Sequence, residues 1–136
     1  MLLGSSEYLE AITQRTNSDA EYLQLAKGQN ETYTLILEPE PAHQITERVV
    51  IGYHIEDGKI TETWQGERPT TFTLSGPYGA WVNILRGDLE PIPAFMKQKL
   101  HVKGNLIKLV SGAGFINRWV AILRTIPTEF AGDYKQ

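Results

Sequence analysis

The segment ERVVIGYHIEDGKITETWQ, residues 47–65, contains two alternating runs of apolar and polar residues separated by Asp57-Gly58. In the first run, every second residue from position 49 is apolar: Val49, Ile51, Tyr53 and Ile55. The second run, residues 59–65, places Ile60 and Trp64 on one face. An Asp-Gly pair between two such runs is typical of a two-residue hairpin turn. The segment therefore predicts two antiparallel strands that bury one face.

Further alternating runs lie on both sides of this hairpin. Residues 32–38 precede it, residues 70–74 follow it, and residues 100–103 form a short fifth run. The first four runs are joined by short links, and such links predict antiparallel pairing between consecutive strands.

Helical patterns occupy the rest of the chain. The predicted helices begin near Ser6 and Ala20 before the strands, and after them cover residues 77–86, 91–97 and 105–126. Glycines at 112 and 114 are expected to bend the last of these helices. Helices before and after an antiparallel sheet predict an α+β fold with two layers, a mainly antiparallel five-stranded sheet covered by helices. A length of 136 residues fits a single domain over residues 1–136.

The residue types that carry most enzyme chemistry are absent or scattered. The chain has no cysteine, which excludes disulfides, thiol catalysis and cysteine-ligated metals. Its three histidines lie far apart, without the spacing that metal ligands need. We therefore expect no catalytic residue, no metal and no cofactor. A net charge of −3 argues against nucleic acid as a partner. The absence of an export signal or a membrane span predicts a soluble, cytoplasmic protein.

Charge is distributed unevenly along the chain. Residues 1–68 contain 5 basic and 12 acidic side chains, whereas residues 69–136 contain 8 basic and 4 acidic ones. Residues 91–128 contain no Asp or Glu. One interpretation is a surface for anionic headgroups or membranes, formed by Lys97, Lys99, Lys103 and Lys108. The alternative is that the basic half pairs with the acidic half.

Bulky apolar residues are concentrated on the predicted C-terminal helices, between positions 81 and 123. The plain interpretation is core packing against one face of the sheet. The sharper interpretation is that these helices lean over the sheet and enclose an apolar cavity, with Gly112 and Gly114 allowing movement. Such a cavity suits a lipid-like ligand.

Three short motifs in the second half resemble the sterol carrier protein 2 family. They are GDLEP at 87–91, FM at 95–96 and KLHVKGN at 99–105, and they follow a Trp81-bearing segment that ends in glycine. The ending, residues 126–130, looks like that of prokaryotic stand-alone members. The similarity covers about residues 78–130. Gln98 departs from the family pattern, which usually has glycine before the lysine, and this puts the local turn geometry in doubt.

The resemblance implies a hydrophobic tunnel between the sheet and the C-terminal helices. Family members bind fatty acids, fatty acyl-CoAs or sterols there without chemistry, so the chain is expected to be a lipid-binding module and no enzyme. The residues that the resemblance assigns to the tunnel are Trp81, Leu85, Phe95, Met96, Leu106, Leu109 and Val110. Helical spacing alone adds Phe115, Trp119 and Leu123.

Two other functions remain open from the sequence. The chain could be an accessory subunit, a homodimer or a docking domain for a partner enzyme, with its groove filled by its own side chains. It could also be a small enzyme of the nuclear-transport-factor-2-like type. That second alternative needs an acid–base pair in a pocket, and the second half of the chain is poor in acids.

Overall fold

The computed structural model describes residues 1–135 and contains a five-stranded sheet in the order β3-β2-β1-β4-β5. The strands are β1 Glu31–Glu38, β2 Val49–Glu56, β3 Lys59–Gln65, β4 Phe72–Pro77 and β5 His101–Lys103. The β1–β2, β2–β3 and β4–β5 pairs are antiparallel, and β1–β4 is parallel. The prediction of a mainly antiparallel, five-stranded α+β fold is confirmed.

The central hairpin forms as predicted, but the prediction that Ile60 and Trp64 share a face was wrong. A register shift between His54 and Ile55 leaves Ile60 opposite Ile55 on the inner face and Trp64 opposite Gly52 on the outer face.

At the hairpin turn, Glu56 of β2 pairs with Lys59 of β3, and the two residues between them have positive φ angles, 49° at Asp57 and 83° at Gly58. This is the backbone that an Asp-Gly hairpin turn requires, because its twist matches that of the flanking strands.

The prediction that β4 pairs antiparallel with β3 was wrong. β4 does not pair with β3 but runs parallel to β1, with Tyr33 opposite Phe72. The connection after β3 therefore crosses the outer face of the sheet. The Thr34 hydroxyl on β1 donates to the Arg68 carbonyl at 3.2 Å and lies 2.9 Å from the Thr70 hydroxyl. These contacts hold the crossing segment against β1.

Six helices accompany the sheet. They are α1 Ser6–Asn17, α2 Ala20–Leu25, α3 Tyr78–Arg86, α4 Pro91–Met96, α5 Leu106–Ser111 and α6 Ala113–Leu123. The last predicted helix is thus two helices that meet at Gly112. The first two helices begin at Ser6 and Ala20, as expected, and are capped by the Ser5 and Asp19 side chains. No helix within residues 1–135 is long and apolar enough to cross a membrane.

The main core lies between the helices and one face of the sheet, the inner face. The opposite, outer face carries Trp64, whose indole lies over Gly52 of the neighbouring strand. The Arg68 guanidinium stacks on this indole at 4.3 Å from the ring centroid. A side chain at position 52 would overlap the indole, which explains the glycine in a central strand.

Candidate functional site

An apolar cavity of about 70 Å³ lies between the inner face and the helices. Its floor is formed by alternating residues of β1, β2 and β4: Tyr33, Leu35, Leu37, Ile51, Tyr53, Ile55 and Leu74. These residues face the cavity because side chains on a strand alternate between its two faces. Side chains of α1 to α6 cover the floor.

Seven of the ten predicted tunnel residues line this cavity. They are Trp81, Leu85, Phe95, Leu109, Phe115, Trp119 and Leu123, contributed by α3, α4, α5 and α6. The indole N–H of Trp81 donates to the Ile36 carbonyl at 3.0 Å, and that of Trp119 donates to the Thr16 hydroxyl at 3.1 Å. Both indoles are therefore held in place with their polar atoms directed away from the open space.

Three of the ten lie outside the lining. Met96 is 62% exposed and Leu106 is 38% exposed, and Val110 is half-buried beside the buried Leu109. The reason is the length of the helices. Each of α4 and α5 has only six residues, less than two turns, so each offers few positions that point inward. Phe95 and Leu109 take the inward positions.

The sequence-based assignment missed the floor and the N-terminal helices. Tyr8, Ile12 and Tyr22 reach the cavity from α1 and α2. The alternation of residues 32–38 marked the inner face of β1 as buried, but it did not distinguish a packed core from a cavity wall.

The cavity is too small for a lipid as it stands. A volume of 70 Å³ has room for only a few water molecules. Sites for small organic ligands usually measure about 300–1,000 Å³. Binding a long apolar chain therefore requires the covering helices to move.

The segment α5 is the covering element with the fewest anchors. Leu109 is its single buried side chain. Lys108 adds an ion pair with Glu31, a carboxylate whose side chain is only 8% exposed at the start of β1. The Asn105 side chain caps the helix by accepting from the Lys108 N–H at 3.1 Å. At its other end, Gly112 separates α5 from α6.

The four predicted headgroup lysines do not share one environment. Lys97, Lys99 and Lys103 are exposed, whereas Lys108 is engaged with Glu31. Pairing between the two halves of the chain extends further, because Arg118 contacts Asp19 at 2.6 Å. Part of the basic stretch therefore balances the acidic half.

Gln98 has a left-handed backbone. Its φ is 57°, in the region that glycine adopts most easily. Glutamine therefore occupies a position whose backbone suits the glycine that the family pattern usually has there.

The profile of the SCP-2 sterol transfer family matches residues 9–113. The chain belongs to this family. The resemblance seen in the second half of the sequence thus extends to most of the chain, including the N-terminal helices and β1 to β3. A comparison with curated protein sequences finds no match. Membership of the family implies lipid binding or transfer.

Solved structures with the same fold include a crystal structure of sterol carrier protein 2. It has a TM-score of 0.82 at 20% identity, with 91% of this chain and 98% of that chain covered. A Thermus thermophilus protein, described as a sterol carrier protein candidate, has a TM-score of 0.79 at 21% identity, covering 91% of this chain and 89% of that one. A sec-alkylsulfatase from Pseudomonas sp. has a TM-score of 0.50 at 18% identity, covering 68% of this chain and 14% of that one.

Proposed function

We propose that residues 1–136 act as a single domain that binds a hydrophobic lipid, such as a fatty acid, a fatty acyl-CoA or a sterol, without converting it. The observation that carries the proposal is the cavity beneath α3 to α6, whose walls are made only of Leu, Ile, Val, Pro, Phe, Tyr and Trp side chains. Family membership supports the same class of ligand.

The energetics favour a long apolar chain. Burial of each methylene contributes about 0.8 kcal/mol. A chain of ten buried methylenes would therefore contribute about 8 kcal/mol, which corresponds to micromolar affinity before the cost of moving the helices is subtracted. Movement of α5 would displace one buried side chain, Leu109, and would separate the buried Glu31 carboxylate from Lys108, which adds to that cost.

Tryptophan fluorescence provides the test. Trp119 lines the cavity with its ring centroid 4.9 Å from that of Tyr53, whereas Trp64 lies on the outer face. Titration with palmitate should change the emission of the wild-type protein and of Trp64→Phe. The change should be smaller in Trp119→Phe, where Trp81 is the remaining tryptophan that lines the cavity, and should be nearly absent when both are replaced by phenylalanine. Absence of saturable binding by calorimetry would refute the proposal.

Two exposed apolar side chains in the basic stretch support contact with anionic membranes. Ile107 is 83% exposed and Met96 is 62% exposed, and both lie in the stretch 91–128 that lacks acidic residues. Lys97 and Lys103 flank them in sequence and are exposed. Apolar tips among cations are suited to insertion into an anionic lipid surface.

Vesicle sedimentation tests this contact. The protein should pellet with vesicles that contain phosphatidylglycerol more than with pure phosphatidylcholine, and salt should weaken the difference. Ile107→Ser should reduce binding, whereas Leu2→Ser, at an exposed aliphatic residue elsewhere in the chain, should not. Equal pelleting with both kinds of vesicle would exclude the electrostatic component.

The small volume of the cavity favours a second candidate, an accessory domain that holds no lipid. The alkylsulfatase comparison supports it, because there a similar fold forms a small part of an enzyme. Mass spectrometry of an organic extract of the purified protein separates the two candidates. A stoichiometric lipid supports the carrier. An empty protein that forms a dimer or associates with a larger enzyme supports the accessory domain.

A further inference from the structure

Three tyrosine side chains with unpaired hydroxyls interrupt the apolar lining of the cavity. Tyr33 and Tyr53 are cross-strand partners on β1 and β2, and their rings stack with centroids 4.8 Å apart. Tyr22 approaches from α2. The three residues are 2%, 3% and 8% exposed, in the order Tyr22, Tyr33 and Tyr53. They are thus more than nine-tenths buried and border the same open space.

The phenol hydroxyls of these three tyrosines make no hydrogen bond to any group within residues 1–135. Another buried phenol differs: the Tyr78 hydroxyl, which does not border the cavity, accepts from the Ala131 N–H at 3.0 Å. Within residues 1–135, the Trp64 indole N–H is the one fully enclosed side-chain polar atom without a partner, so the three phenol oxygens keep some accessible surface. A hydroxyl that borders a cavity and has no protein partner is available to a ligand oxygen.

The protonation state of the three phenols determines which hydrogen bonds they can form with a ligand. Burial raises the pKa of Tyr22 to about 12 and raises the pKa values of Tyr33 and Tyr53 well above their usual value of 10. The phenols are therefore neutral and carry their protons at physiological pH. Each can donate a hydrogen bond to an oxygen and accept one from a hydroxyl.

The charges around the three phenols disfavour an anionic head. Among residues 1–135, no Lys, Arg or His lines the cavity. The nearest carboxylate, Glu31, raises the pKa of Tyr33 by its negative charge, and its cationic partner Lys108 is already engaged with it. A carboxylate that entered this end of the cavity would be desolvated beside another anion, which is costly without a free cation.

We infer that the hydroxyls of Tyr22, Tyr33 and Tyr53 hold a neutral oxygen of the lipid, the hydroxyl or carbonyl of a fatty alcohol, an ester or a sterol, inside the cavity. This inference rests on the proposed function and narrows its ligand class. A fatty acid would place its carboxylate at the surface, and only its chain would enter.

A set of ligands with equal chain length tests the inference. Octan-1-ol, octane and octanoate are titrated at pH 8 into the wild-type protein, Tyr33→Phe, Tyr53→Phe and the control Tyr78→Phe, with calorimetry as the readout. The quantity compared is the ratio of the octane to the octan-1-ol dissociation constant. Comparing this ratio between proteins cancels the transfer of each ligand from water.

The ratio should fall about 3- to 10-fold in Tyr33→Phe and in Tyr53→Phe, which corresponds to the loss of one hydrogen bond. It should not change in Tyr78→Phe. Octanoate affinity should change less than about twofold in all variants, because its head stays outside the cavity. Phenylalanine keeps each ring, so the first two variants should be as stable as the wild type without ligand, or more stable, whereas Tyr78→Phe should be less stable.

An unchanged ratio in both cavity variants, with octane and octan-1-ol still bound, would overturn the inference and leave the proposed function intact. A larger loss for octanoate than for octan-1-ol would overturn the preference for a neutral head. Failure of all three ligands to bind the wild-type protein would instead refute the proposed function.

Discussion

Two valines on neighbouring helices provide a matched pair for testing whether the cavity is real. Val120 on α6 is buried and lines the cavity, whereas Val82 on α3 is fully buried in the core away from it. Replacing each by isoleucine adds one methyl group in a helix. We expect Val120→Ile to stabilise the protein and Val82→Ile to destabilise it.

The volume of the cavity sets the size of the effect. At ~24 cal/mol per Å³, an empty space of 70 Å³ lowers the free energy of unfolding by about 1.7 kcal/mol. A substitution that fills the cavity can raise the free energy of unfolding by no more than this amount. One added methylene contributes about 0.8 kcal/mol if it fits. At Val82 no such space exists, and overpacking costs about 1–3 kcal/mol. The two variants should therefore differ by about 2–4 kcal/mol.

Urea unfolding followed by circular dichroism measures both free energies of unfolding, with an unchanged m value as the check on two-state behaviour. Val120→Phe extends the test to function, because a larger ring occupies the space that a ligand chain would enter. It should weaken palmitate binding by roughly tenfold or more. Equal destabilisation by Val120→Ile and Val82→Ile would show that no open space lies beside Val120.

Three further outcomes follow from the structure. Burial raises the pKa of Tyr22 to about 12, so its phenol ionises in the unfolded chain first, and the urea midpoint should fall as the pH rises from 10 towards 12. Gly52→Ala should destabilise by about 1–3 kcal/mol, since its methyl group would overlap the Trp64 indole; an unchanged melting temperature would contradict that packing. Lys108→Met leaves the Glu31 carboxylate without its cation, so amide hydrogen exchange in residues 106–111 should quicken while the sheet stays protected; unaltered exchange there would mean that the pair does not hold the helix.

The sequence was informative wherever local chemistry decides the structure. The turn at Asp57-Gly58 could be predicted because both residues adopt left-handed backbone readily. The break at Gly112 could be predicted because glycine weakens a helix interior. The pairing of β4 with β1 could not be predicted, because the segment after β3 suits a hairpin as well as a connection that crosses the sheet. The Thr34–Arg68 hydrogen bond that holds the crossing segment joins residues that are distant in the sequence.

The site was predictable in part. All three residues proposed from helical spacing, Phe115, Trp119 and Leu123, line the cavity, since a longer helix such as α6 has a defined buried face. Of the seven residues that the resemblance assigned, four line the cavity. Met96, Leu106 and Val110 do not, because α4 and α5 are too short to point many side chains inward. The three phenol hydroxyls without a partner could not be predicted. A sequence shows that a tyrosine is apolar enough to be buried, but not whether its hydroxyl has a hydrogen-bond partner.

The most direct test of the proposed function is to locate a bound ligand on the protein. With uniformly ¹³C-labelled palmitate, isotope-edited NOE spectroscopy should show contacts between the acyl chain and the methyl groups of Leu35, Leu37 and Leu109, which line the cavity. Contacts confined to exposed Met96 and Ile107 would place the chain on the surface and contradict lipid binding within the cavity.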